Sequence, residues 1–313
     1  MKAVQISNYG SPETLKIIND APKPTVAPGQ LLIEVHSAGV NPVDVKICEG
    51  RLQQAVPLRF PATIGLDFSG VVDAVGDNVT GFEAGDEVYG QASLLKGGAG
   101  SFAEYVVVDA KNVAHKPTSV NATSAAALPL AGISAWQALV DHIGISKGKK
   151  ILIHGGAGGI GIFAILLAKH LGAYVAATAS TEDAQFVKEL GADEIIDYKK
   201  QAFEKLLNNY DAVYDVVGGD TYAKSFKVLK KGGIIVSSIE QPRTELEQQF
   251  GVNSVIQTTK VNKEDLSKLA GLVDKGIIKV VIDKTFPLEQ TAAALTHLKN
   301  NHSRGKVVVQ VKK

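Results

Sequence analysis

The stretch HGGAGGIGIF, residues 154–163, packs five glycines into ten residues between the apolar run KKILIH and the helical pattern IGIFAILLAKHLG. Gly156, Gly158 and Gly161 satisfy G-x-G-x-x-G, with a strand-like run before, a helix-like run after and another strand about 20 residues on, the setting in which this motif holds a dinucleotide. The first glycine permits a tight turn, the second lets the backbone approach a pyrophosphate, and the third lets helix and strand pack closely. Amide groups at the helix N-terminus then meet the anion. Residues 156–161, including Ala157, Gly159 and Ile160, are the expected cradle.

The end of the second strand separates the two nicotinamide dinucleotides, because an Asp or Glu there hydrogen-bonds the ribose 2′-OH of NAD. Here it reads AYVAATAST, and residues 176–180 carry no acid. A 2′-phosphate would not be repelled, which points to NADPH, with Thr178 and Ser180 at the rim. Tyr198, leading into Lys199 and Lys200 after the third strand, is a further rim candidate, although lysines there also suit a solvated helix start.

At 313 residues the chain is longer than most single cores, so two domains are expected. Residues 1–122 read as short β-rich runs cut by glycine and proline, such as KAVQIS, QLLIEVHSAGV and SFAEYVVV. From residue 123 to 265 the text alternates strand and helix, the pattern of a parallel doubly wound sheet. Residues 266–313 end in the strand-like GKVVVQV and are expected to complete the first domain. The fold class expected is therefore α/β, a Rossmann doubly wound parallel sheet beside a β-barrel-like domain.

A formal charge of +1 gives no bulk attraction for nucleic acid or anionic membranes. The single cysteine, Cys48, excludes an internal disulfide and a thiolate-rich zinc site. No stretch reaches roughly 18 uninterrupted apolar residues, and the expected location is the cytoplasm.

AGVNPVDVKICEG, FPATIGLDFSGVVDAVG, GDEVYG, GSFAEYVVV, LPLAGISAWQAL, HGGAGGIG, LGADEIIDY, DVVGG and SRGKVVV follow one another in this order. With them the chain resembles the medium-chain dehydrogenase/reductase superfamily, in its zinc-free quinone oxidoreductase branch, over essentially its whole length. The resemblance implies a chaperonin-10-like catalytic domain built from both chain ends, a Rossmann domain between, and a cleft holding the nicotinamide. Where zinc-dependent relatives carry a Cys and a Gly-His-Glu element, this chain has Asn41 and Gly65-Leu66-Asp67; a third cysteine falls near Leu130. Leucine cannot ligate zinc, so no metal is expected.

Without a Lewis acid, hydride must go to an acceptor that is already electrophilic, a quinone or an enone or enal. Either product needs donors for an oxygen that gains negative charge. The resemblance places NPVDVK in the cleft, making Asn41 and Lys46 the candidate catalytic donors. Lys46 stands where some quinone reductases have tyrosine and fits the NPVDxK variant similar to enone-reducing members. The resemblance also assigns to the cofactor Ser134, Val217 and Gly218, Ser237 and Ile239, and Arg304 and Lys306 of the C-terminal element. A homodimer paired near SVIQTT is implied too. An enoyl-thioester reductase and a non-enzymatic NADPH-binding protein remain as alternatives, and loops such as QASLLKGGAG would shape the acceptor pocket. Cys48, His36, His154 and Trp136 are read as structural.

Overall fold

The computed structural model describes residues 1–95 and 98–312; Lys96 and Gly97, within QASLLKGGAG, and Lys313 lie outside the described residues. Contacts divide the chain into two units, one of Met1–Leu130, Val261–Lys275 and Val280–Lys313, the other of Ala131–Lys260 and Gly276–Lys279.

The first unit is built around the strand Gln30–Val40, whose alternation buries Leu31, Ile33 and Val35 on one face. They pack with Phe68, Val72, Val88 and Val106 in one cluster. The strand is central to a seven-stranded sheet in the order Ile282–Pro287, Lys306–Gln310, Gln30–Val40, Asp67–Val75, Glu87–Gln91, Val113–His115, and Tyr105–Asp109 also pairs with it. Val307 lies opposite Val40 and Val308 opposite Gly39, antiparallel. The C-terminal strand thus completes the N-terminal sheet, as its β-like text implies. A three-stranded sheet, Lys16–Ile18, Ala3–Ile6 and Ala62–Thr63, lies in the same unit. Directly after Val40 the chain turns into the short helix Pro42–Cys48, with Asn41 as its N-cap and proline at N1, where the missing N–H costs nothing.

The unit boundaries fall later than 122 and earlier than 265, for packing reasons. Helix Ala122–Ala126 seats Ala126 and Ala127 against Val308. Helix Lys263–Asp274 is tied to the first unit as a whole, its Leu266 carbonyl accepting the Tyr89 hydroxyl at 2.5 Å.

The second unit holds a six-stranded, all-parallel sheet in the order Glu194–Asp197, Tyr174–Ala179, Lys150–Ile153, Tyr210–Asp215, Leu229–Ser237, Asn253–Ile256. Strand order reverses between Lys150–Ile153 and Tyr210–Asp215, so the carboxyl ends of these strands form the switch point where such sheets bind ligands. Leu152, Ala176, Ile196, Val213 and Ile235 line one buried face with Phe226 and Tyr222. Truncating Leu152 to alanine would cost about 2–5 kcal/mol by the cavity it leaves.

Candidate functional site

The glycine loop leaves the strand Lys150–Ile153 through His154 and enters the helix Gly159–His170. The left-handed turn falls on Gly155, at φ +68, one residue before the first glycine of the motif. A Cβ on Gly161 would stand 2.1 Å from the Gly155 carbonyl oxygen, so any side chain there would push helix and loop apart. A Cβ on Gly158 would meet only that oxygen, at 3.3 Å, and space is open beside the backbone. Gly158, the N-cap, offers no side chain, and the N–H groups of Gly159, Ile160 and Gly161 have no acceptor among the described residues. Three unspent donors at a helix N-terminus fit a pyrophosphate.

Thr178 and Ser180 lie where the sequence places them, but their hydroxyls are engaged. Thr178 Oγ1 accepts the Gly155 N–H at 3.1 Å and meets His154 Nδ1 at 3.2 Å, so it supports the loop from behind. Ser180 Oγ donates to Asp183 at 2.9 Å. An acid therefore stands beside the rim, one turn past the acid-free segment 176–180. Lys199 is bonded to both Glu182 oxygens, at 3.2 and 2.9 Å, and its ammonium holds the Glu182 carboxyl down at about 2. Lys200 lies 3.5 Å from Asp197, and Tyr198 is exposed.

At the next two strand ends one buried carboxylate organises both loops. Asp215 accepts the Val217 and Gly218 N–H groups, each at 3.0 Å, and the Ser237 hydroxyl at 2.8 Å. Ser237 Oγ in turn accepts the N–H groups of Ile239 and Glu240. This leaves Val217 and Ile239 exposed as neighbouring apolar groups. Ser134 Oγ pairs with Thr259 Oγ1 at 2.7 Å, and its carbonyl accepts from Gln257 at 2.9 Å. The sequence reading did not name Asp215, although an acid inside the apolar run DAVYDVV signals a buried charge that must be matched.

In the first unit a polar cluster is enclosed at the start of helix Pro42–Cys48. Asn41, Asp44, Asp67 and Lys306 are all buried. Asn41 Nδ2 donates to Asp67 Oδ2 at 2.8 Å, and Lys306 Nζ donates to Asn41 Oδ1 and, at 3.0 Å, to the Val40 carbonyl. Asp67 also accepts from the Leu130 N–H at 3.0 Å and from Gln91 at 3.1 Å. Asp44 Oδ2 caps the Asn41 N–H at 2.8 Å, whereas its Oδ1 has no partner. Burial pushes the Asp44 carboxyl up to about 8. It also raises Asp67 and lowers Lys306, each opposed by the other's charge.

Lys306 thus sits beside Asn41, in a cluster the sequence reading did not foresee around either residue. Lys46 is half-buried in the last turn of the helix, with no ion pair among the described residues. Arg304 is exposed in the turn before Gly305. Cys48 is buried, and burial pushes its thiol up to about 11, so it is no nucleophile.

Two family profiles match the chain. The family described as alcohol dehydrogenase GroES-like domain matches residues 27–118, and that described as zinc-binding dehydrogenase matches residues 190–309. An NADPH-dependent alkenal/one oxidoreductase of Arabidopsis thaliana chloroplasts is 40% identical over 317 residues, 99% of this chain and 79% of the relative. The chain is a medium-chain dehydrogenase/reductase. A 2-methylene-furan-3-one reductase of Solanum lycopersicum is 39% identical over 99% of this chain and 79% of its own length. The solved quinone oxidoreductase of Coxiella burnetii superimposes with a TM-score of 0.92 at 35% identity, covering 100% of this chain and 99% of that one.

Within this dehydrogenase/reductase, Asn41, Asp67 and Leu130, which the resemblance sets against the zinc ligands of metal-dependent members, all belong to the cluster. Asn41 bonds to both Asp67 and Lys306, and Asp67 also accepts the Leu130 backbone N–H. Among the described residues no three His, Cys, Asp or Glu side chains gather into a group that could hold a metal ion.

Proposed function

We propose that this medium-chain dehydrogenase/reductase is an NADPH-dependent, zinc-independent reductase of α,β-unsaturated carbonyls, enones and enals, and of quinones. The observation that carries the reading is the glycine loop, whose three unspent N–H groups and open space at Gly158 fit a dinucleotide pyrophosphate. The reaction class is supported by relatives named for alkenal/one, furanone and quinone reduction. NADPH, when bound, supplies the hydride; the acceptor carbon takes it and the conjugated oxygen gains negative charge.

The chain's own part is to bind and to donate. Residues 156–161 take the pyrophosphate, and Ser134, Val217, Gly218, Ser237 and Ile239 border the rest of the cofactor. Thr178 serves by holding the loop, Ser180 and Tyr198 are assigned to the phosphate-bearing rim, and Arg304 is assigned to the cofactor as part of the C-terminal element. Asn41 and Lys46 are the donors to the developing oxyanion, a role worth about 10²–10³ in rate for one well-placed donor. The cluster around Asn41 has charges that already balance, Lys306 against Asp67, which supports a site working without zinc.

We read the protein as cytoplasmic and dimeric. Among the described residues no helix is long and apolar enough to cross a membrane. Strand Asn253–Ile256 is the last in its sheet and leaves one edge unpaired among the described residues. The deciding experiment follows NADPH oxidation against quinones, enones, enals, enoyl thioesters and simple aldehydes. Turnover of enones or quinones is expected; turnover confined to enoyl thioesters, or tight NADPH binding with no turnover, would overturn the reading.

A further inference from the structure

We infer that Lys306 is a positioning residue: with Asp67 it fixes the Asn41 amide so that the one remaining Asn41 N–H is kept as the donor to the acceptor's oxygen. The inference rests on the reductase reading above and assigns Lys306 a role through Asn41 instead of through the cofactor.

An asparagine amide is sterically almost symmetric, so its orientation is decided by what faces its two ends. Here Oδ1 faces the Lys306 ammonium and Nδ2 faces the Asp67 carboxylate at 2.8 Å. Rotating the amide by half a turn would set N–H against an ammonium and a carbonyl against a carboxylate, two repulsive contacts in a buried place. Each partner is itself anchored. Lys306 also donates to the Val40 carbonyl at 3.0 Å, and Asp67 also accepts from Leu130 and Gln91. The backbone of Asn41 is pinned by Asp44 at 2.8 Å.

Asn41 is therefore held at four points: its backbone N–H, its backbone carbonyl, its Oδ1 and one Nδ2 hydrogen. The second Nδ2 hydrogen has no acceptor among the described residues. A donor that is rigid, buried and unspent is the kind of preorganised group that stabilises charge appearing only during reaction. A cation on the amide oxygen adds to this by drawing electron density from the nitrogen, so that its N–H donates more strongly. The titratable groups facing Lys306 are Asp67 and Asp44, and both belong to the same cluster.

The test compares Lys306→Met, Lys306→Arg, Asn41→Ala and the double variant Asn41→Ala with Lys306→Met, measuring kcat with an enone, NADPH affinity by titration, and the melting temperature. Asn41→Ala should lower kcat about 100-fold or more. Lys306→Met should lower kcat substantially with NADPH affinity held within about twofold, Lys306→Arg should recover part of the loss, and the double variant should be no slower than Asn41→Ala alone. Removing Lys306 strands a buried carboxylate, so Lys306→Met combined with Asp67→Asn serves if the single variant does not fold; it too should be slow while folded and NADPH-bound.

Retention of wild-type kcat in Lys306→Met, alone or combined with Asp67→Asn, overturns the inference. So does a loss that multiplies with Asn41→Ala, or one matched by an equal loss of NADPH affinity, which returns Lys306 to the cofactor. A wild-type chain that binds NADPH and reduces no acceptor overturns the reductase reading itself and the inference with it.

Discussion

His154 sits between two hydroxyls, and the bonds those hydroxyls already make decide its proton. Ser225 Oγ spends its hydrogen on the Thr221 carbonyl at 2.7 Å, so at 2.9 Å it accepts from His154 Nε2. Nδ1 is then the acceptor, and Thr178 donates to it while accepting the Gly155 N–H. The imidazole is neutral, and burial pulls it down to about 4. Between that value and the ordinary 6.5 of the unfolded chain, the unfolded state binds a proton that the native state refuses. Stability linked to His154 is thus present above pH 6.5 and lost as pH falls toward 4, by about 3 kcal/mol over the whole window. His154→Gln should flatten this part of the acid dependence, read as the change in melting temperature between pH 6.5 and 4.5. An unchanged slope would sink the assignment. That His154 is structural is legible in HGGAGGIG, as a histidine closing an apolar strand. The identity of its partners is not, because Ser225 is 71 positions away and no spacing connects them. Asp67 and Lys306 are hidden for the same reason: their meeting depends on a C-terminal strand crossing to the N-terminal sheet.

Elements are more legible than contacts, because periodicity and glycine placement are local. The strands of the parallel sheet, the break at Leu128-Pro129 between helices Ala122–Ala126 and Pro129–Trp136, and the glycine loop all follow from text of a dozen residues. The loop itself permits a sharp test. With the Gly161 Cβ position 2.1 Å from the Gly155 carbonyl, Gly161→Val cannot be absorbed by a flexible side chain and must displace the donors. NADPH affinity in a fluorescence titration should fall at least tenfold, about 1.4 kcal/mol; wild-type affinity would remove the pyrophosphate from this helix. The edge strand Asn253–Ile256 carries the dimer reading. Its Ser254 N–H is already taken by Glu247 at 2.7 Å, a device that blunts an open edge. By alternation the next outward N–H is that of Ile256. Ile256→Pro deletes it while sparing the inward ladder, and should convert a dimer to a monomer by light scattering with NADPH binding kept. A mass unchanged from wild type would place any association elsewhere.

For the molecule as a whole, the choice of nucleotide is a balance of charges that no one residue settles. The absence of an acid at 176–180 favours a 2′-phosphate, whereas Asp183, hydrogen-bonded to Ser180, sets a carboxylate beside the same rim. Glu182 and Asp197 are offset by Lys199 and Lys200, and the Lys199–Glu182 pair is exposed enough to rearrange around a ligand at little cost. A phosphate recruiting Lys199 away from Glu182 would gain a charge-assisted bond and give up only a solvated one. NADPH should therefore bind more tightly than NADH. A ligand that binds only the native state stabilises it by about 2.7 kcal/mol at 100 times its dissociation constant, and a tenfold weaker one by about 1.4 kcal/mol less at equal concentration. Melting the protein with equal concentrations of the two nucleotides should give the larger upward shift with NADPH. Raising ionic strength should shrink the difference, because the 2′-phosphate contacts are screened at the surface. Equal shifts, or a larger one with NADH, would show that Asp183 governs the rim and would reassign the cofactor.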